Sequence, residues 1–462
     1  MDSQKKGSPQ LSLPLSQWLR PERPDDTLIA WRKDQQWLLK DLRHDVTALI
    51  EKINATIQTR WALCFEDPYA FIAALLAVLY CGRTPVLPGH CRQALLLEQQ
   101  TEFDALLTDL PLEISCPVIR FPFAFQPEQT NAKRQLPEWQ SGLSLVMFTS
   151  GSTGTPQKVI KPVACLEQES RWLAQHWGDH SSRTRLVSTV AHHHLYGLTF
   201  SIVMPLSLGL PIYSSRLEYH EQLVALAQEY DLTLIGSPAF LQRLDTRLPA
   251  VGCRQVFSAG GPLHVEAALR AQRCCGVLPM EIYGTTETGV IGYRQQSQRD
   301  TPWERFAEVT FITEGADTVI VKSALIPEPQ GIELNDHITL LAGQSSFHLG
   351  SRKDRVVNIA EQRISLSDIE LRLSTLSALR EASVLILNKR GRDYVATLIV
   401  LSETGYQQYQ TLGQAAFLAA LRQQLRQWLT PVAIPRFWRI ATDIPVNAQG
   451  KRAYAEIREL FL

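Results

Sequence analysis

The stretch that decides the fold is LSLVMF (Leu143–Phe148) running into TSGSTGTPQK (Thr149–Lys158). An apolar run with strand character ends abruptly in small hydroxyl residues and two glycines. Glycine permits tight turns and positive φ, and hydroxyls with bare backbone N–H groups can wrap phosphate oxygens. A plain Ser/Gly loop has the same composition, and the GxxxxGK[ST] spacing of P-loops is absent. What the loop does therefore depends on its surroundings.

Upstream, the spacing of apolar residues predicts helices over 40–57, 69–81 and 91–100, and strands over 61–65, 84–89 and 104–109. Residues 122–140, rich in Pro and Gln, read as a loop. Such alternation is the pattern of an α/β domain. Downstream, a break at Ser351–Asp354 precedes a compact mixed module. Its predicted strands are 355–359, 382–387, 394–401 and 436–441, with helices over 367–375 and 413–429. The module has about 108 residues, enough for a small α+β domain. The expected division is 1–352 and 353–462.

At 462 residues the chain exceeds what one hydrophobic core usually organises. Lys plus Arg and Asp plus Glu each total 46, so charge gives no reason to expect nucleic acid or an anionic membrane as partner. The polar stretch Met1–Pro14 lacks a signal-peptide core. The longest apolar run, Tyr69–Cys81, falls short of the roughly 20 residues of a spanning helix. A cytoplasmic location without membrane insertion is expected, and the oligomeric state is left open. Eight scattered cysteines form no CxxC and read as free buried thiols. Three consecutive histidines, His192–His194, cannot converge on one metal from a regular strand, so zinc is not expected.

Three further motifs follow in order. YGTTETG (Tyr283–Gly289) places threonines, Thr285 and Thr286 among them, and the carboxylate of Glu287 in a turn suited to holding Mg2+ through oxygen. SRKDR (Ser351–Arg355) puts Arg352 and Asp354 at the domain break, and PVNAQGKR (Pro445–Arg452) puts Lys451 after a glycine turn. Singly these could be a turn, a surface ion pair and a solvated lysine.

Together the series resembles the adenylate-forming superfamily of acyl-CoA synthetases, peptide-synthetase adenylation domains and luciferases, from about residue 25 to the end. The resemblance implies a large α/β N-terminal domain of stacked sheets sandwiched by helices, with a small barrel-like part, and a small mobile α+β lid. It also suggests that the family's opening hairpin is trimmed here. It implies ATP and Mg2+ as cofactors, with Thr149, Ser150, Gly151, Ser152, Thr153 and Gly154 on the ATP phosphates. By the same likeness Tyr283, Gly284, Thr285 and Thr286 form the nucleotide segment, with Glu287 as metal carboxylate. Asp336 and Arg352 become ribose contacts, Asp354 the hinge and Lys451 the catalytic lysine. SAGGPL (258–263), with Ser258, Gly260 and Gly261, matches the glycine turn beside the adenine and acyl pocket. His194 and Tyr196 of HLYG, with Gly236, complete the acid pocket, although a packed core histidine is the plain alternative for His194.

The implied chemistry is attack of a carboxylate on the α-phosphate, two anions that need preplaced cations and N–H donors. The acyl-adenylate then passes its acyl group to a phosphopantetheine thiol once the lid has swung. Two positions depart from the pattern. Gln157 replaces the usual loop lysine, which leaves Lys158 or Lys161 to substitute, and Glu361 replaces a glycine where the thiol arm passes. HLYGLTF (194–200) and IAEQRISL (359–366) resemble short acyl- or aryl-acid ligases of bacterial aryl-polyene-type pathways. An acyl carrier protein is the favoured acceptor, docking on the basic residues Lys353, Arg355 and Arg363, and free coenzyme A is the alternative. A non-catalytic nucleotide-binding relative is the second alternative. An amino-acid adenylating enzyme is disfavoured, because no acidic residue lies between Thr189 and Ile202 to hold an amine.

Overall fold

The computed structural model describes residues 12–123, 136–149, 157–181, 184–315, 318–359, 362–389, 392–447 and 452–462. They divide into two compact units: Met1–Phe311 with Val321–Ile332, and Ile312–Ile320 with Glu333–Leu462.

The first unit opens with an antiparallel hairpin, β1 (Leu28–Arg32) and β2 (Gln35–Leu38). The expectation of a trimmed hairpin is thus corrected. Its turn uses Lys33 at φ 50°, without the Asn-Gly signature that marks hairpins in a sequence. Helix α1 (Leu39–Asn54) buries Leu39, Leu42, Val46, Leu49, Ile50 and Ile53, the apolar stripe of an amphipathic helix. Helix α2 (Pro68–Tyr80) starts where Asp67 accepts from the Tyr69 and Ala70 N–H groups, with proline at its first position. Every residue of α2 is buried, because it packs on two sheets at once.

One of those sheets has the order β6 (Val118–Arg120), β5 (Ala105–Thr108), β3 (Arg60–Cys64), β4 (Thr84–Leu87), β7 (Ser144–Thr149), β8 (Gln157–Pro162). Its pairs are parallel except β7 with β8. In the other, β1 is followed by β10 (Ile212–Arg216), β9 (Arg185–Ser188), β11 (Leu232–Gly236), β12 (Cys253–Ser258) and β13 (Met280–Thr285), all parallel. β2 pairs antiparallel on one side of this run, and β14 (Gly289–Arg294) followed by β15 (Trp303–Arg305) on the other. The helices between them include α3 (Gln93–Glu98), α4 (Val163–Ser181), α5 (Leu195–Gly197), α6 (Met204–Leu208), α7 (His220–Ala227), α8 (Pro238–Gln242) and α9 (Val265–Cys275). A π-helical turn, Leu198–Val203, joins α5 to α6.

In the second unit, strands Asp336–Leu340 and Ser346–Arg352 pair antiparallel, followed by a hairpin of Val356–Ile359 with Gln362–Ser365. Helix α10 (Leu366–Ser374) packs on strand Leu379–Lys389, which pairs with Arg392–Leu401, itself parallel to Phe437–Ala441. Helix α11 (Glu403–Leu425) is broken at Gly413, where φ is 75°. α12 (Tyr454–Glu459) follows. Ile369, Leu373, Val384, Ile399, Phe417, Leu421 and Leu425 form the core. This is a smaller α+β domain of the expected kind.

All eight cysteines are free, five buried and three half-buried. Among the described residues no helix is long and apolar enough to cross a membrane.

Candidate active site

The expected site residues of the first unit gather at the carboxyl ends of parallel strands. Gly236 ends β11 and is the register partner of Ser258, which ends β12; Ser258 in turn partners Glu281 of β13. Crevices at such strand ends are where open α/β sheets bind ligands.

On β9 the chain leaves at Ser188 and reaches the histidine run. His192 is buried, its ring 4.4 Å from that of Phe71, and burial pushes it down to about 3. Burial, then the neighbouring His90, holds His193 at about 4. Both are neutral at physiological pH. The His194 ring lies 4.5 Å from that of His193 and touches the β4–α3 connection, where a Cβ on Gly89 would meet its Cε1 at 3.3 Å. Tyr196 turns toward the strand ends, its hydroxyl donating to the Gly236 carbonyl at 3.1 Å. Gly197 has no room for a side chain, since a Cβ would sit 2.0 Å from the Ala191 carbonyl oxygen. Beyond β12, Ser258 is buried with an unpartnered Oγ, and Gly260 makes the turn at φ 84°.

The YGTTETG segment is a tight turn between β13 and β14. Thr285 faces Gly289 across the ladder, and a Cβ on Gly284 would lie 2.3 Å from the Gly289 carbonyl oxygen. Thr288, unremarked in the sequence, locks the turn: its Oγ1 accepts from the Thr285 N–H at 3.1 Å, and its own N–H donates to Thr285 Oγ1 at 3.2 Å. Tyr283 is buried beside Trp303, whereas Thr286 and Glu287 stay half-exposed. A half-exposed carboxylate and a hydroxyl on a rigid turn are hard oxygen donors of the kind Mg2+ takes.

The loop after β7 is closed at its base by pairing of Thr149 with Gln157. Ser150, Gly151, Ser152, Thr153 and Gly154 lie outside the described residues, as do Glu361 and Lys451. Of the two substitutes expected for the missing loop lysine, Lys161 is corrected. Lys158 is paired with Glu102 at 2.7 Å. Lys161 is buried, with its ammonium directed at the carbonyls of Thr286, Glu287 and Leu325.

In the second unit Asp336 and Arg352 are cross-strand register partners, so the two expected ribose contacts are neighbours. Asp354 falls in a single 3-10 turn, Lys353–Arg355. Here too a sequence expectation is corrected. Arg355 is no docking residue, because its guanidinium grips Glu370 at 2.5 and 3.1 Å and the Val384 carbonyl at 2.7 Å. Arg452, next to Lys451 in the chain, binds the same Glu370 at 2.7 Å. Lys353 is paired with Glu333 at 3.3 Å.

The chain belongs to the AMP-binding enzyme family, which matches residues 22–333. It is 28% identical over 323 residues to a 4-coumarate–CoA ligase of Halorhodospira halophila, covering 66% of this chain and 74% of that one. It is 29% identical over 198 residues to the medium-chain-fatty-acid–[acyl-carrier-protein] ligase JamA of Moorena producens, covering 38% and 33%. The fold matches ATP-bound MatB of Rhodopseudomonas palustris with a TM-score of 0.77 at 16% identity, covering 97% of this chain and 98% of that one. The protein is an adenylate-forming acid ligase.

Proposed function

We propose that this ligase activates an aryl or fatty acid as its acyl-adenylate and passes the acyl group to a phosphopantetheine thiol, that of an acyl carrier protein before that of coenzyme A. The observation that carries the reading is the register Gly236–Ser258–Glu281, with Tyr196 hydrogen-bonded across to Gly236. This register supports an acid pocket beside β13, the strand that runs on from Glu281 into the turn bearing Glu287. Tyr196, the His194 side of the pocket and the bare glycines Gly260 and Gly261 suit an apolar or aromatic acid, and no acidic residue lies between Thr189 and Ile202 to attract an amine.

In this reading Thr149–Gly154 orient the pyrophosphate and Thr286 holds the α-phosphate. Glu287 holds Mg2+, which offsets charge on the polyphosphate when bound. Asp336 and Arg352 hold the ribose, and Lys451 bridges acyl and phosphate oxygens. Residues 353–462 act as the lid, pivoting at Asp354, so that Lys451 leaves and the thiol enters. Glu361 on the thiol path would repel the 3′-phosphate of coenzyme A more than the single phosphodiester of a carrier arm, within a Debye length of about 8 Å.

A hydroxamate-trapped screen of aryl and fatty acids with ATP tests the first half, and ATP–pyrophosphate exchange that no acid stimulates would end it. Side-by-side rates with coenzyme A and a holo carrier protein test the second. Turnover with coenzyme A alone would reverse the order of acceptors.

A further inference from the structure

Strand β8 inverts the usual polarity of a sheet. Ile160 is 61% exposed whereas Lys161 is 1% exposed. Burying an ammonium is costly unless its donors are met, and here three donors face three backbone carbonyls. They are those of Thr286 at 3.2 Å, Glu287 at 3.3 Å and Leu325 at 3.4 Å. A trans peptide sets its N–H opposite its C=O. With the Thr286 and Glu287 carbonyls turned to Lys161, the N–H groups of Glu287 and Thr288 point the other way. That of Thr288 meets Thr285 Oγ1, as described.

A second buried charge holds the far end of the same turn. Glu169 on α4 is 1% exposed; Oε1 accepts from the Val290 N–H at 2.8 Å and Oε2 from Thr199 Oγ1 at 2.8 Å. Oε1 presses so closely on Gly289 that a Cβ there would lie 2.8 Å from it. Thr199 belongs to the π-helical turn that follows the HLYG segment, so one carboxylate touches both the nucleotide side and the acid side.

We propose that Lys161 and Glu169 are a pair of positioning residues for adenylation. Lys161 sets the direction of the Thr286–Glu287 peptides, and Glu169 ties that turn to the acid pocket through Thr199. The inference rests on the ligase reading above and deepens it.

The test measures ATP binding by titration calorimetry with Mg2+, together with KM for ATP and for an acid chosen by the hydroxamate screen. Lys161→Met keeps the aliphatic stem and removes the donors; ATP affinity should fall about tenfold or more while the acid KM moves less than about threefold. Glu169→Ala should raise both KM values about tenfold. Glu169→Gln, whose amide can accept from Val290 and donate to Thr199, should keep both within about threefold of the parent. Unchanged ATP affinity in Lys161→Met, or equal weakening toward both substrates, overturns the pair. Should Lys161→Met not fold, the Glu169 variants decide: Ala and Gln behaving alike overturns it, and Gln rescuing both KM values supports it. An unmodified chain that binds no ATP would instead overturn the ligase reading itself.

Discussion

Two charged sites, one in each compact unit, are answered in opposite ways. In the first, Lys161 and Glu169 are answered by peptide groups and a hydroxyl, and His192 and His193 are kept neutral. In the second, Glu370 lies between Arg355 and Arg452, charge against charge. Dipoles give a charge direction without cancelling it, which suits a turn that must meet a charged ligand. Ion pairs cancel and lock, which suits segments that must stay fixed to each other. Glu370 joins the residue after the proposed hinge to the residue after the proposed catalytic lysine.

The largest expected effect lies at Lys451, the cation the second unit is proposed to lend the first. Lys451→Ala should slow ATP–pyrophosphate exchange about 10²-fold or more, yet leave transfer from a supplied acyl-adenylate nearly intact. Equal loss in both assays would remove its assignment to one half-reaction.

Next comes the lock. Glu370→Ala leaves two guanidinium groups facing each other and should destabilise the second unit by about 2 kcal/mol, discounted for partial exposure. Denaturant unfolding followed at Trp438, which lies in that core, should show an earlier transition. An unshifted curve would mean the cluster is incidental.

The histidines sharpen the contrast in pH. Their folded-state values are pushed below the ordinary 6.5, so between about 6.5 and 4 the unfolded chain binds protons that the folded one does not. Stability is then pH-independent from these groups above 6.5 and falls as pH drops below it, by up to about 1.4 kcal/mol per unit per histidine. His192→Phe should flatten that acid limb by one proton's worth in melts at stepped pH. A parallel limb would place the titration elsewhere.

The smallest effect is at Glu287. Glu287→Gln should raise the Mg2+ needed for half-maximal exchange by about severalfold, since an amide is a weaker ligand for a hard cation. Lost activity at an unaltered Mg2+ requirement would rule out the carboxylate as the metal donor.

Local signals carried most of the fold. The apolar runs predicted over 69–81, 61–65 and 84–89 are realised as α2, β3 and β4 within a residue or two. The predicted strands over 382–387 and 394–401 are the cores of Leu379–Lys389 and Arg392–Leu401. The first half of α11 was illegible because Glu403–Leu412 is polar and carries no apolar stripe, and its Gly413 break looks like a helix start. At the site, motifs whose proposed role lies in their own backbone, such as Tyr283–Gly289, could be read. Lys161 could not, because its partners lie 125, 126 and 164 residues away. Nor could Glu370, which meets Arg355 and Arg452 only through folding.

The glycines around the strand ends differ in how much change they can absorb. Gly284 and Gly197 are frozen by backbone, and Gly236 is crowded by Leu241 at 3.1 Å. Gly261 is not: a Cβ there meets only Pro238 Cγ at 3.8 Å, an ordinary contact. If that residue lines the acid pocket, Ala, Ser or Val at 261 gives a graded series of shallower pockets on an unstrained backbone. The size of acid accepted would then be adjustable one methyl at a time, while the backbone at Gly197 and Gly284 stays fixed.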